Sequence, residues 1–466
     1  MQDEQSDHSL QRITLTMVLL NAFTTPLMLS AVNVALPSIA TDLSMNAVLL
    51  SWVPMAYLMA SAMFVLIFGR VADMLGRKRI FLIGTSSVII TSLIAAFAIN
   101  GTMLIAARFL QGISAAMLYA TQVAIVSSVF PPAKRGRAIG LTVSTIYLGL
   151  TIGPLIGGYV IDEFGWRASF MVHIPLAIIV LIIGLLYVKG EWSADEPGSF
   201  DLLGAMLYAF SILIVCIGVT YLPSTLSFIF LAVSVFGFVF FFLFERVHKH
   251  PIFDVTLLFT NRVFTFSCLA SLIIYTATFA NVVQVSLYLQ YLKGLSAASA
   301  GVIMMCQPLT MALFSPLAGR LSDKFEPKYL ATAGMAISAC GLILLSNLQT
   351  ESGLDYLIFA LVTTGFGFSL FSSPNVNAIM GSVEKRYYGT ATSVMATMRL
   401  VGQMSSMVLV TLIFVLIIGP VEIEPSNYAA LEKAIRLTFT LAAMLCLPGL
   451  YFSIARGNMA KVKREG

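Results

Sequence analysis

Five charged side chains, Arg70, Asp73, Arg77, Lys78 and Arg79, fall within GRVADMLGRKR, residues 69–79, of a chain in which only 11% of residues are charged. Asp73 can accept charge-assisted hydrogen bonds from Arg70, Arg77 and Arg79, while Gly69 and Gly76 permit a tight turn beside it. The chemistry on offer is an electrostatic latch. Exposed ion pairs are worth only about 0–1 kcal/mol each, so such a latch can bias two conformations without locking either. A partial copy occurs in GRLSDKFEPKY, where Gly319, Arg320 and Asp323 repeat Gly69, Arg70 and Asp73. Glu326 and Pro327 stand there in place of Gly76 and Arg77, so a weaker, mainly structural role is expected of the second copy.

Catalytic chemistry finds little material. The four histidines are His8, His173, His248 and His250, and the last two form a loop pair without a set of metal ligands around them. No GxxxxGK[ST] loop is present, so ATP is not expected as the direct energy source. Cys216, Cys268, Cys306, Cys340 and Cys446 all lie in apolar runs without CxxC spacing and read as small hydrophobes. No enzyme, no metal and no cofactor is expected. The net charge of +5 is small, and no basic face interleaved with aromatics suits nucleic acid.

What must position the charged cluster is a membrane fold. With 58% hydrophobic residues and a mean hydropathy of +0.92, the chain cannot coat a soluble globule, whose charged share is about 25%. A bilayer core of about 30 Å takes roughly 20 helical residues per crossing, and apolar runs of that size predict fourteen transmembrane helices. The first apolar run is long enough to span, which argues against a cleaved leader. Most of the 27 Lys and Arg fall in alternate loops, which places both termini in the cytoplasm of a cell membrane. The repeated cluster lies after the second crossing of each of two six-helix blocks, and KRG at 134–136 is loosely echoed by KRYYG at 385–389. The division is therefore an N-terminal six-helix bundle (1–188), a linker with two inserted helices (189–262) and a C-terminal six-helix bundle (263–466), with a working site expected at mid-depth between the bundles.

These residues resemble a known family. GRVADMLGRKR is similar to the first-hairpin signature of the major facilitator superfamily, RFLQGISAA at 108–116 to its span-4 motif, and GLTIGPLIGG at 149–158 to the span-5 motif of its exporters. VNVALPSIA, FGWRASFMVHIP and FERVHKHPIFDVTLLFTNRVF resemble the fourteen-span drug:proton antiporter branch, the QacA/EmrB-like group. The resemblance implies an all-α integral membrane protein of the major facilitator fold that exports small lipophilic or cationic compounds by alternating access, coupled to protons or another ion. It also implies a monomer whose partners are a small-molecule substrate and the lipid bilayer. In the family the latch is thought to place its Asp against a helix N-terminus of the other half. Alternatives are an uptake carrier for a small metabolite, which the span-5 motif argues against, an uncoupled facilitator, and a transporter-like sensor, which would normally carry an appended soluble domain.

Arg108 and Arg399 fall within spans, where a cation costs roughly 2.5–3.5 kcal/mol on insertion scales and should face a wet cavity or a partner. Arg456, by contrast, reads as a solvated tail residue. Gly149, Gly153, Gly157 and Gly158 form a small-residue face around Pro154, suited to close helix approach or to a moving seam. Polar residues in apolar helices supply the candidates for the cavity wall: Asn33, Gln111, Gln284, Gln307, Asn375 and Asn377, with Gln122, Asn281 and Gln403 behind them. Relatives in this branch read LDxTIVNVALP in span 1, and here Met28 replaces that Asp. Coupling through a span-1 carboxylate is therefore not expected, and His173 is the one group in a span with an ordinary pKa in the physiological range.

Overall fold

The computed structural model describes residues 2–193, 200–248, 251–253, 255–384 and 388–457. Among them fourteen helices are long and apolar enough to cross a membrane, and no strand occurs. We label them α1 (Ser9–Asp42), α2 (Ala47–Leu75), α3 (Arg77–Ala96), α4 (Gly101–Val129), α5 (Lys134–Phe164), α6 (Trp166–Leu186), α7 (Leu202–Thr220), α8 (Thr225–Val247), α9 (Arg262–Leu292), α10 (Ala297–Ser322), α11 (Pro327–Ser346), α12 (Leu354–Gly381), α13 (Thr390–Ile417) and α14 (Pro425–Ala455). Lys385, Arg386 and Tyr387 of the second basic motif lie outside the described residues, as do His250 and the chain beyond Gly457.

Local sequence sets the helix ends. Asn46, Asn100, Ser224 and Asn261 each accept a backbone N–H three residues on, satisfying donors that the first turn leaves free. Gly76, at φ +109°, breaks the chain between α2 and α3 in a backbone conformation that side chains rarely adopt. The latch thus lies at a true helix junction.

Glycine contacts repeat between the halves with a fixed offset. A Cβ at Gly84 of α3 would strike Met117 and Ser114 of α4, and one at Gly334 of α11 would strike Leu370 and Gly367 of α12. Gly112 lies against the Tyr57 carbonyl as Gly365 lies against that of Gln307, and Gly149 meets Phe23 as Gly402 meets Leu272. The glycines of the third spans are 250 residues apart and those of the fourth and fifth are 253 apart, which is the sequence duplication expressed as packing. Two six-helix bundles result, with the α7–α8 hairpin between them in sequence and α7 packed on both α2 and α13.

We name the two ends of the molecule by residues: the Asp42 end, where α1 finishes and α2 starts, and the Asp73 end. The halves are joined tightly at the first. Ser51 and Thr411 hydroxyls lie 2.9 Å apart, Ala47 N–H donates to the Val421 carbonyl at 2.9 Å, and the Gln290 amide donates to the Val34 carbonyl at 2.9 Å.

Candidate functional site

A cavity of about 140 Å³ opens at mid-depth between the halves. Its wall is mainly apolar, with Ser30 and Asn33 from α1, Tyr275, Thr278 and Asn281 from α9, Gln307 from α10 and Gln403 from α13 as the polar points. Four of the sequence candidates, Asn33, Asn281, Gln307 and Gln403, therefore face this space. Three others do not. Gln284 is fully buried and donates to Thr438 at 2.8 Å, Asn375 donates to Ser271 at 2.8 Å and to the Ser267 carbonyl at 3.0 Å, and Asn377 donates to Ser322 at 2.5 Å. These bonds tie helices together within the second half, as polar groups in apolar helices commonly do.

Arg108, Gln111 and His173 are brought together by a residue that the sequence reading did not single out. Arg108 is 0% exposed; its Nε donates to the Val53 carbonyl at 3.1 Å and its Nη1 to Gln111 Oε1 at 2.5 Å. The Gln111 amide donates in turn to Ser92 Oγ at 2.6 Å, and Ser92 Oγ lies 3.0 Å from His173 Nε2. Arg108 also rests over the Tyr57 ring, 4.4 Å from its centroid, a cation–π contact that partly replaces lost hydration. Arg108 Nη2 and His173 Nδ1 are buried without a hydrogen-bond partner, so both ends of the chain carry spare capacity. Met28 Sδ lies 3.1 Å from the Gln111 amide, so the position where relatives carry Asp is adjacent to this network. Nothing in the sequence pattern near Ser92 could have announced it, because it comes from another helix.

Arg399 stands apart from that network. It lies one helical turn from the cavity-lining Gln403, and its guanidinium carbon is 5.7 Å from the centre of the Tyr119 ring, across the boundary between the halves. The Tyr119 hydroxyl pairs with that of Tyr57 at 3.1 Å, and Tyr147 from α5 reaches Ser372 of α12 at 3.2 Å.

The glycine face on α5 divides into two parts. Gly149, Gly153 and Gly157 lie against Phe23, Leu27, Ser30 and Ala31 of α1, inside the first half. Gly158 faces the other way: a Cβ there would come within 2.8 Å of Ala297 C and Ala298 Cα in α10 of the second half, and closer still to the Ala297 carbonyl oxygen. Gly301 of α10 returns the approach against the carbonyl of Pro154. One turn further, the Asp162 carboxylate accepts the Ala297 and Ala298 N–H groups at 3.1 and 2.9 Å, capping α10 from the opposite half.

Asp73 of the charged cluster pairs within its own half. Asp73 Oδ1 accepts from Arg77 Nε and Nη2 at 3.0 and 2.8 Å, and Arg77 Nη1 reaches Ser128 at the end of α4 at 2.6 Å. Glu191, in the segment after α6, accepts the Lys78 and Arg79 N–H groups at 2.7 and 3.0 Å and so caps α3. A Cβ at Gly76 would collide with that Glu191 carboxyl, so the glycine is required by space as well as by φ. Gly69 lies in open space and Arg70 and Asp73 are half-buried. The Asp73 partner is thus Arg77 rather than a helix N-terminus of the second half. The side chain of Asp323 lies outside the described residues.

Arg456 overturns its reading as a solvated tail residue. It is 1% exposed, and it donates to Asn375 Oδ1 at 2.7 Å, to Ser267 Oγ at 3.2 Å and to the Pro327 carbonyl at 2.9 Å, clamping α9, α11 and α12 together. Burial brings its guanidinium pKa down to about 10.

The family model described as Major Facilitator Superfamily matches residues 18–404 and again 267–465. The chain belongs to the major facilitator superfamily. Among facilitator relatives it is 30% identical over 449 residues to the riboflavin transporter RibZ of Clostridioides difficile, covering 95% of this chain and 96% of that one. It is 29% identical over 377 residues to the multidrug resistance protein Stp of Mycobacterium tuberculosis, covering 80% and 70%. The multidrug transporter protein MdtP of Bacillus subtilis is 28% identical over 413 residues, covering 86% and 74%. Solved structures share the facilitator fold at low identity: a POT family transporter in complex with a thioalcohol-conjugated peptide has a TM-score of 0.72 at 16% identity over 95% of this chain and 96% of that one. The xylose transporter XylE of Escherichia coli, in an inward open conformation, has a TM-score of 0.60 at 14% identity over 94% and 95%. This facilitator is an integral, multi-pass membrane transporter.

Proposed function

We propose that the protein exports small, mainly apolar compounds from the cell by alternating access, as a monomer of the fourteen-span drug antiporter type with both termini in the cytoplasm. The observation that carries this reading is the α5–α10 seam: a glycine contact and an acidic helix cap hold the halves together at the Asp42 end, beside a mid-depth cavity. With the termini inside, the Asp42 end faces outward, and the structure stands in the state closed to the outside. In that state Asp73 pairs within its own half, and opening to the outside would release Asp162 from α10 while closing the Asp73 end. Two packings of one interface, differing by a few weak polar contacts, make a bistable element of the kind alternating access needs. Multidrug proteins among the relatives, together with the exporter-like span-5 motif, support outward movement.

A second reading, carriage of a vitamin-like metabolite, is favoured by the nearly full-length similarity to RibZ. Protons are the coupling ion we favour, with His173, Ser92, Gln111 and Arg108 as the polar chain through which a proton would act. The test is transport by purified protein in oriented vesicles: substrate movement toward the termini-distal side, driven by an inward proton gradient, is expected. Movement in the opposite sense, or indifference to the gradient, would replace the exporter reading by uptake or by facilitation.

A further inference from the structure

The charge at the centre of the molecule is of one sign. Arg399 lies one turn from the cavity-lining Gln403 with its guanidinium over the Tyr119 ring of the other half, and Arg108 lies behind Tyr57, whose hydroxyl pairs with that of Tyr119. Among the described residues neither arginine forms an ion pair; the ion pairs found belong to Asp42, Asp73, Asp201 and Glu432, all within about two turns of a helix end. Among the described residues no carboxylate lines the mid-depth cavity. A lipophilic cation entering it would find no counter-charge on the wall and the Arg399 guanidinium about one helical turn beyond it, in a site of low dielectric where like charges repel more strongly than in water.

The remaining lining has a second character. Tyr275 stacks edge-on against Phe368 at 5.4 Å between ring centres, both on the cavity wall, and from the first half the Tyr119 ring lies under the Arg399 guanidinium, its hydroxyl paired with that of the fully buried Tyr57. Flat aromatic faces next to a fixed guanidinium select a ligand that is itself flat and carries negative charge, since guanidinium pairs with carboxylate or phenolate through directed N–H donors. We infer that the substrate is a planar aromatic compound bearing an acidic group, held with its rings against Tyr275 and Phe368 and its anionic edge at Arg399. This rests on the transport reading above and replaces the cationic class expected from resemblance.

Two dyes of one xanthene frame and opposite charge, fluorescein and rhodamine 123, isolate the charge term. Binding to the full-length protein in detergent is followed by fluorescence anisotropy, and movement by the same protein in vesicles. The expected result is that fluorescein binds at least tenfold more tightly than rhodamine 123. Arg399→Gln should lower fluorescein affinity about tenfold, the worth of one hydrogen bond to a charged group, and Arg399→Lys should retain the preference for the anion. Thermal unfolding of each variant guards against misfolding, and the charge-preserving Lys variant keeps the test decisive if Gln proves unstable. Tighter binding of rhodamine 123, binding of neither dye, or an unchanged fluorescein affinity in folded Arg399→Gln overturns the inference. Fluorescein bound but not moved would sustain the substrate class and overturn the export reading; rhodamine 123 moved in preference would do the reverse.

Discussion

Gly158→Ala should open the Asp42 end. The added Cβ has nowhere to go in the closed state, with Ala297 C and Ala298 Cα at 2.8 Å and the Ala297 carbonyl oxygen nearer. Backbone, not a flexible side chain, is what it strikes, and overpacking of this kind costs typically 1–3 kcal/mol. Because the collision is between the halves, the whole cost falls on the state in which they touch, and about 1–3 kcal/mol corresponds to a 5- to 150-fold shift between two states. Spin labels at Phe164 and Ser299, both exposed, in a background free of the five cysteines, would report the α5–α10 separation. The variant should populate a longer distance. Two controls on the same helix sharpen the reading. Gly157→Ala strikes Ala31 of α1 inside the first half, and should lower thermal stability without changing the distance distribution. Gly140→Ala meets open space and should change neither. If Gly158→Ala merely destabilised the protein as Gly157→Ala does, with the distances unmoved, the glycine face would be ordinary packing and the seam would not be a gate.

Asp162→Asn should shift the same labels in the same direction but by less, since a carboxylate at a helix N-terminus is worth about 0.3–1 kcal/mol; Glu163→Gln beside it should leave them unmoved, and equal effects would remove the cap from the gating scheme. His173→Asn should abolish proton-driven transport in vesicles while sparing exchange at equilibrium, and full proton-driven rates in that variant would defeat the histidine as coupling group. Arg456→Ala strands acceptors on Asn375, Ser267 and Pro327, each costing about 1–3 kcal/mol when left unsatisfied, so its melting temperature should fall clearly below that of the wild type, with partial recovery in Arg456→Lys; an unchanged melting temperature would refute the clamp.

Spans and duplication were legible from composition, because length and hydropathy decide a transmembrane helix almost alone. The pairing of Arg108 with Gln111 was half visible, three residues apart on one helix face. Which way the other polar residues point was not visible. A soluble helix reveals its inner face by contrast with a polar outer one, but a helix that is apolar all round has no such contrast. Asn33 and Asn375 therefore looked alike in the sequence, although one lines the cavity and the other bonds to Ser271 and Arg456. Arg456 was misread for a related reason: it follows the last apolar residue of α14, where a cation ordinarily meets solvent, and only the approach of α9, α11 and α12 buries it. Glu191 and Ser92 contribute from separate elements, and no local pattern points to either.

The places where the two halves depart from each other say most about which contacts move. Gly84 and Gly334, Gly112 and Gly365, Gly149 and Gly402 keep the same approach in both halves, and all lie within a half, where packing must simply hold. The contacts between halves do not keep it. At the offsets of those pairs, Gly158 and Gly301 on the α5–α10 flank correspond to Thr411 and Ser51 on the α13–α2 flank. One flank is a bare glycine seam capped by Asp162; the other is a hydroxyl pair at 2.9 Å, backed by α7, whose Thr220 accepts from Trp52 Nε1 at 3.2 Å. A seam held by van der Waals contact and two hydrogen bonds, one exposed and one part-buried, separates at smaller cost than a buried hydroxyl pair covered by a third helix. Opening at the Asp42 end should accordingly begin between α5 and α10 and pivot about the α2–α13 flank, which gives the inserted hairpin a mechanical role: it stiffens the side on which the halves turn.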